Sequence, residues 1–359
     1  AIMRDFYADH PEEGEAMGLR DEMFGLSNSL KANSGRLDAL KDPLIMARKA
    51  DGERLFQEAL SANPTLNEHW GDLLEQIAEI QREKVALAAV YAAFTGLAPG
   101  GTEASVLSRA LYGIGYLDAQ AGGAPPSQLE QIRRLILAVE DLPMEMEEAF
   151  LAARLQDLHR FLGPDHPVTR GALEGRSVEG ATSVLLNLSS LATRDKAETA
   201  LNSGALSADD PAMRVATAIF PAYLEFQTRL DAAMEEEQGL AADLGRARFA
   251  VYGPDVPPDA SRSPRITDGV VMPYEYNGTK APVYTTFFGL YDHFYSYGRE
   301  SDWNLPDRWL PPPADLNLGT PLNFISTADT YGGNSGSPAV TRDLAIVGLN
   351  FDRNVEGLS

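Results

Sequence analysis

The sequence predicts an α+β chain: an all-helical domain over residues 1–248, then a mostly β module over residues 249–359. Three observations carry this expectation. Apolar residues recur at three- and four-residue spacing through most of the first 245 positions. After Gly253-Pro254 the composition shifts to Pro, Gly, Tyr, Thr and Val. Short β-branched and aromatic runs bounded by turn residues then follow. At 359 residues the chain exceeds a typical single domain, which also favours two.

In chain order, Glu15 to Ala59 carries a helical pattern through Met17, Phe24, Leu30, Leu37, Leu44 and Ile45, interrupted near Pro43. Pro64 opens a helix that the pattern extends through Trp70, Leu73, Ile77, Ile80 and Val90 towards Gly100-Gly101. Ser127-Gln128-Leu129-Glu130 reads as a capping box opening a helix through Ile132, Leu135 and Val139. Further helices are expected at 143–162, 178–202 and 210–245, separated by Gly163-Pro164, Gly175 and Asp209-Asp210-Pro211. The apolar stripes read as packing faces, and no repeat of fixed period is present. Residues 254–265 read as an exposed loop, and Pro311-Pro312-Pro313 as a semi-rigid connection. Val270 to Met272, Val283 to Phe287, Leu322 to Ile325 and Ile346 to Phe351 read as strands.

Composition narrows the function classes. The formal charge of −22, from 52 acidic and 30 basic residues, disfavours nucleic acid and anionic membrane surfaces as partners. No run of eighteen apolar residues is present to span a bilayer. With no cysteine, disulfides, thiolate metal sites and a cysteine nucleophile are excluded. Neither His-x-x-x-His nor His-Glu-x-x-His occurs, the carboxylate clusters read as solvated faces, and no phosphate-binding glycine loop is present. No metal or cofactor is therefore implied. The chain starts at Ala1 without a signal peptide and its last residues run off a strand, so an internal piece of a longer protein is expected.

The most informative stretch is Tyr331-Gly332-Gly333-Asn334-Ser335-Gly336-Ser337-Pro338, followed by the apolar run Leu344 to Phe351. A serine between small residues on a tight turn, with a strand directly after it, is how trypsin-like proteases present a nucleophile. Ser335 is the candidate nucleophile. The amides of Gly333 and Ser335 can converge on a developing oxyanion, and a Cβ at 333 would strain or block that arrangement. The same residue types also fill ordinary hairpin loops. A serine hydroxyl needs a base, usually an oriented histidine. His10, His69, His159 and His166 read as surface or packing residues. His293, in Tyr291-Asp292-His293-Phe294, is the one histidine of the β module, and on a strand Asp292 would face away from it. His293 stays a minor candidate for the base; in trypsin-like double barrels the base and acid come from the first barrel, which this chain is expected to lack, so the base is expected upstream of Ala1.

The strand after the nucleophile ends Asn350-Phe351-Asp352-Arg353-Asn354. Two readings stand side by side. Arg353 can select an acidic substrate side chain by charge-assisted hydrogen bonds while Asp352 holds a substrate α-ammonium. Alternatively, the two form a weak surface pair at an exposed strand end.

Gly332 to Pro338 together with Val347 to Asn354 closely resembles the dipeptidyl-peptidase 7 and 11 family of bacterial serine peptidases, as do Tyr284-Thr285-Thr286 and Gly289-Leu290-Tyr291 upstream. The resemblance implies a chymotrypsin-like double β-barrel with an inserted helical cap that limits substrate extension to two residues. This chain would then hold the cap and part of the second barrel. It implies a serine exopeptidase releasing dipeptides from peptides with free N-termini, a homodimer located in the periplasm or at the surface of a Gram-negative bacterium, and no metal. By resemblance Ser335 is the nucleophile, Gly333 and Ser335 form the oxyanion hole, and Asp352 anchors the substrate amino group. Arg353 places the chain in the branch preferring Asp or Glu at the second substrate residue. The resemblance sets Asn28, in Leu26-Ser27-Asn28, against a cap asparagine that also contacts the amino group, while the residues themselves slightly favour a solvent-facing helix position. The sequence departs from the family pattern at Val355, where tryptophan is common. The family's catalytic His and Asp lie N-terminal to this chain, so the piece alone is expected to be inactive. A trypsin-like endopeptidase and a non-catalytic binding module with a vestigial serine are the competing expectations.

Overall fold

The computed structural model describes residues 1–97, 104–253, 266–276, 278–299, 301, 303–330, 334–352 and 354. The expected loop at 254–265 and the helix stop at Gly100-Gly101 lie outside the described residues. The chain divides into two units, Ala1–Val251 and Tyr252–Ser359. It is mostly helical with a few short strands. Among the described residues no helix is long and apolar enough to cross a membrane.

The first unit contains fourteen described α-helices. These are α1 (Ile2–Asp9), α2 (Pro11–Ala16), α3 (Leu19–Lys41), α4 (Pro43–Ala62), α5 (Pro64–Trp70), α6 (Leu73–Ala86), α7 (Ala88–Phe94), α8 (Ser105–Ala121), α9 (Pro126–Ala138), α10 (Met144–Leu162), α11 (Pro167–Leu173), α12 (Val178–Leu188), α13 (Arg194–Ser203) and α14 (Pro211–Tyr252). The break at Pro43 falls as the sequence predicts. Asp42 caps α4 by accepting from the amides of Leu44 and Ile45 at 2.8 and 3.2 Å, with proline at the first helical position, where its missing N–H costs nothing.

The core gathers around α8, which buries Ser105 through Ala110 and Gly113. Helix α9 lies against it, and the same core holds Leu151, Leu155 and Leu158 of α10, Leu185 of α12 and Met213, Ala216 and Ile219 of α14. A helix buried on nearly all sides sits at the centre of its domain. Each fully buried leucine there contributes about 2 kcal/mol. A smaller cluster joins Phe56 and Leu60 of α4, Leu73 of α6 and Ala247 of α14.

Several expected elements differ from the structure. The sequence names no helix at 105–121, because the start of α8 is capped from elsewhere: Glu147 of α10 accepts from the amides of Ser105 and Val106, both at 2.9 Å. The single helix expected from Pro64 to Val90 is three helices, broken at Gly71-Asp72 and at Leu87. The expected 178–202 helix is two, because Asp210 draws the intervening turn to itself. Its carboxylate accepts from the Ser189 and Ser190 hydroxyls and the Ser190 amide at 2.7–2.8 Å. The buried Arg109 guanidinium then donates to the Leu191 and Ala192 carbonyls. The capping box at Ser127 does not form. Helix α9 starts one residue earlier at Pro126, so Ser127 lies inside the first turn and is exposed.

In the second unit, β1 (Tyr274–Tyr276) pairs with β2 (Thr279–Ala281), and β3 (Tyr284–Thr286) leads directly into α15 (Phe287–Tyr297). β4 (Pro321–Phe324) pairs with β3, and β5 (Pro338–Val340) with β6 (Ile346–Leu349), all antiparallel. Among the described residues these form three separate two-stranded ladders. Val270 to Met272 contributes only an isolated bridge between Val271 and Ser326. Residues 291–294 are helical, contrary to the strand expectation. Tyr291 and Phe294 face inward to a small core with Leu305, and the Tyr291 hydroxyl donates to the Trp309 carbonyl at 2.8 Å.

Candidate active site

Ser335 stands at the second position of a turn closed by the Ser337 amide donating to the Asn334 carbonyl at 3.0 Å. Gly336 takes φ +87°, the left-handed value that a type II turn requires at its third position and that glycine adopts without strain. Pro338 then opens β5. The turn is fastened to the end of β6. Gly336 N–H donates to Asn350 O at 2.7 Å, and Asn350 N–H donates to Ser337 O at 2.8 Å. At its far end the hairpin closes on Thr341, whose carbonyl accepts from the Leu344 amide and whose amide donates to Ala345 O, both at 2.9 Å.

This geometry exposes the serine to solvent. Its hydroxyl donates to the Phe351 carbonyl oxygen at 3.2 Å, a neutral contact that a general base would have to replace before Oγ could attack. Strand alternation within β6 places Ile346 and Gly348 on one face and Val347 and Leu349 on the other. The hairpin thus brings Ser335 beside Phe351, and Asp352 follows directly in the chain. Asp352 is exposed.

Gly333 and Arg353, the expected oxyanion donor and acid-selecting cation, lie outside the described residues. Asn28 is exposed on α3 of the first unit. His293 lies on α15, its ring stacked on Trp303 with centroids 4.1 Å apart and on Tyr297 at 5.7 Å. Its neighbour Asp292 therefore does not oppose it across a strand. Among the described residues no three His, Asp or Glu side chains are grouped to hold a metal ion.

Sequence reasoning missed two participants in this geometry: the Phe351 carbonyl and the ring of Phe324, which lies against Gly348. A glycine inside a strand pattern was the available signal, since it marks close approach by another group.

The sequence model of the Peptidase S46 family matches residues 1–359. An Asp/Glu-specific dipeptidyl-peptidase of Capnocytophaga gingivalis is 30% identical over 148 residues, covering 39% of this chain and 20% of that protein. Dipeptidyl-peptidase 7 of Porphyromonas endodontalis is 23% identical over 354 residues, covering 93% of this chain and 42% of that protein. The crystal structure of Porphyromonas endodontalis DPP11 in complex with the dipeptide Arg-Glu superposes with a TM-score of 0.61 at 18% identity, covering 99% of this chain and 53% of that one. That likeness is one of fold. The chain spans about half the length of the solved relative, and less of the two others.

Proposed function

The chain belongs to the peptidase S46 family, and from that premise we propose that it is the nucleophile-bearing part of a serine dipeptidyl peptidase that removes dipeptides with Asp or Glu in second position from free N-termini. Ser335 Oγ attacks the carbonyl carbon of the second residue, its proton passes by way of the base to the departing amine as the peptide bond breaks, and water hydrolyses the resulting acyl-enzyme to release the dipeptide. The amides of Gly333 and Ser335 receive the oxyanion. Asp352 holds the substrate α-ammonium, and Arg353 pairs with the acidic side chain.

The observation that carries this reading is the exposed Ser335 turn, held open by Gly336 and tied to β6 at Asn350. The Asp/Glu-specific relative named above supports the choice of substrate class. The resemblance supplies the base and its orienting acid from a first barrel N-terminal to this chain, with residues 249–359 as part of the second barrel and 1–248 as the cap. Residues 1–359 alone are then inactive.

The test uses the whole gene product with free-amine dipeptidyl substrates ending in Asp, Glu, Leu or Ala. Ser335→Ala is expected to abolish release, and Arg353→Gly to move preference from the acidic to the apolar pair by about tenfold or more, as for loss of one charge-assisted contact. Cleavage of N-terminally blocked peptides instead would make the protein an endopeptidase. No cleavage of any substrate would leave a binding module.

A further inference from the structure

We propose that Phe324 is a positioning residue for Ser335, acting through Gly348; this rests on the reading of Ser335 as the nucleophile. Gly348 lies in the middle of β6, where glycine gives up the side-chain packing a strand normally uses. The space is already taken: a Cβ on Gly348 would lie 2.9 Å from Phe324 Cε1 and 3.4 Å from Cζ. Phe324 is the last residue of β4, half-buried, and pairs with Tyr284 of β3. No ladder hydrogen bonds join β3–β4 to β5–β6 among the described residues. The ring of Phe324 is therefore a side-chain link between two ribbons that their backbones leave separate.

The link bears on the nucleophile because of where β6 leads. Two residues after Gly348, Asn350 exchanges backbone hydrogen bonds with Gly336 and Ser337, and Phe351 O then receives the Ser335 hydroxyl. The strand rises about 3.3 Å per residue, so the ring contacts β6 about 7 Å before the point where the Ser335 turn is fastened. A displacement of the strand there is passed through short, directional bonds to the serine. Misplacing a reacting group by about 1 Å costs on the order of a hundredfold in rate.

The experiment is a double-mutant cycle in the whole gene product, with Gly348→Val, Phe324→Leu and both together. Valine suits a strand, so its effect reports the clash rather than propensity. Two readouts are taken: the rate of fluorophosphonate acylation at Ser335 per folded molecule, and hydrogen exchange at the Gly336 and Asn350 amides. Gly348→Val is expected to slow acylation at least tenfold and speed exchange at both amides. For dipeptidyl substrates, kcat falls while KM stays within about twofold. Adding Phe324→Leu returns acylation to within about threefold of the parent. Should Gly348→Val fail to fold, Gly348→Ala replaces it in the same cycle.

Unchanged acylation and exchange in the Gly348 variant, or a double variant no better than that single one, would overturn the proposal. So would a loss confined to the folded fraction with unaltered rates per molecule, since that is a purely structural role. A parent protein that ignores fluorophosphonate sinks the Ser335 reading instead, and the exchange cycle then still decides whether Phe324 positions the turn.

Discussion

The Ser335 hydroxyl donates to the Phe351 carbonyl at 3.2 Å, and on the proposed reading a base must take that carbonyl's place in the contact before Oγ can attack. The energetic stake is small, about 1 kcal/mol for a neutral exposed bond, so a base arriving beside Ser335 can displace it. A different residue carries the clearest electrostatic perturbation. Glu174, at the end of α11, adopts φ +47°, and its carboxylate is lowered to about 2, chiefly by hydrogen bonds from Arg214 and then Arg176. The folded state thus favours the ionised form. The stabilisation is fully present above the ordinary carboxylate value near 4.5 and is lost as pH falls towards 2. Glu174→Gln is expected to lower stability by about 1 kcal/mol or less near neutrality, the range for partly exposed networks. In denaturant titrations the difference between parent and variant should shrink below pH 4.5 and vanish near 2. A difference independent of pH would mean that the network contributes by packing alone.

At the level of elements, helix ends divide into those set by neighbouring sequence and those set from a distance. Asp42 and Asn63 cap α4 and α5 from the adjacent position, and their proline partners make both starts legible. The start of α8 depends on Glu147, some forty residues on, whose buried carboxylate meets both the open amides and the positive end of the helix dipole. Glu147→Ala is expected to cost about 2 kcal/mol by leaving two buried amides unsatisfied. Ser127→Ala is expected to change stability by less than about 0.5 kcal/mol, because the hydroxyl caps nothing. Thermal unfolding of the two variants separates these cases, and a costly Ser127→Ala would restore the capping box. The Ser189 to Ala192 turn follows the same logic, as a point where Asp210, just before α14, and Arg109 of α8 meet one stretch of backbone.

Across the whole molecule, the two units differ in what each buries. The first unit has a large core around α8 and a second cluster at α4, α6 and α14. Among its described residues the second buries Tyr291, Phe294 and Leu305 against a few partly covered neighbours, while Ile346, Val347 and Leu349 of β6 and Phe351 beyond it stay exposed. Stability scales with the apolar area removed from water. Residues 1–251 expressed alone are therefore expected to keep their helical circular dichroism and unfold in one cooperative transition, whereas residues 252–359 alone are expected to show none. A sharp transition in the second piece would indicate more internal packing than these side chains provide.

By itself the sequence determined the helical first part, the later β-containing unit, the break at Pro43 and the Ser335 turn, because each depends on periodicity or on glycine and proline beside the element concerned. The family could be read from the same turn and the strand after it. Tertiary structure alone decided the existence of α8, the split at Ser189 to Ala192, the helical state of His293 and the ring over Gly348. In three of these the deciding group is remote in sequence: Glu147 for α8, Asp210 and Arg109 for the turn, and Phe324 for β6. A local pattern records what a residue prefers, and a distant carboxylate, guanidinium or ring overrides that preference wherever its contact is worth more than the fraction of a kcal/mol that propensity supplies.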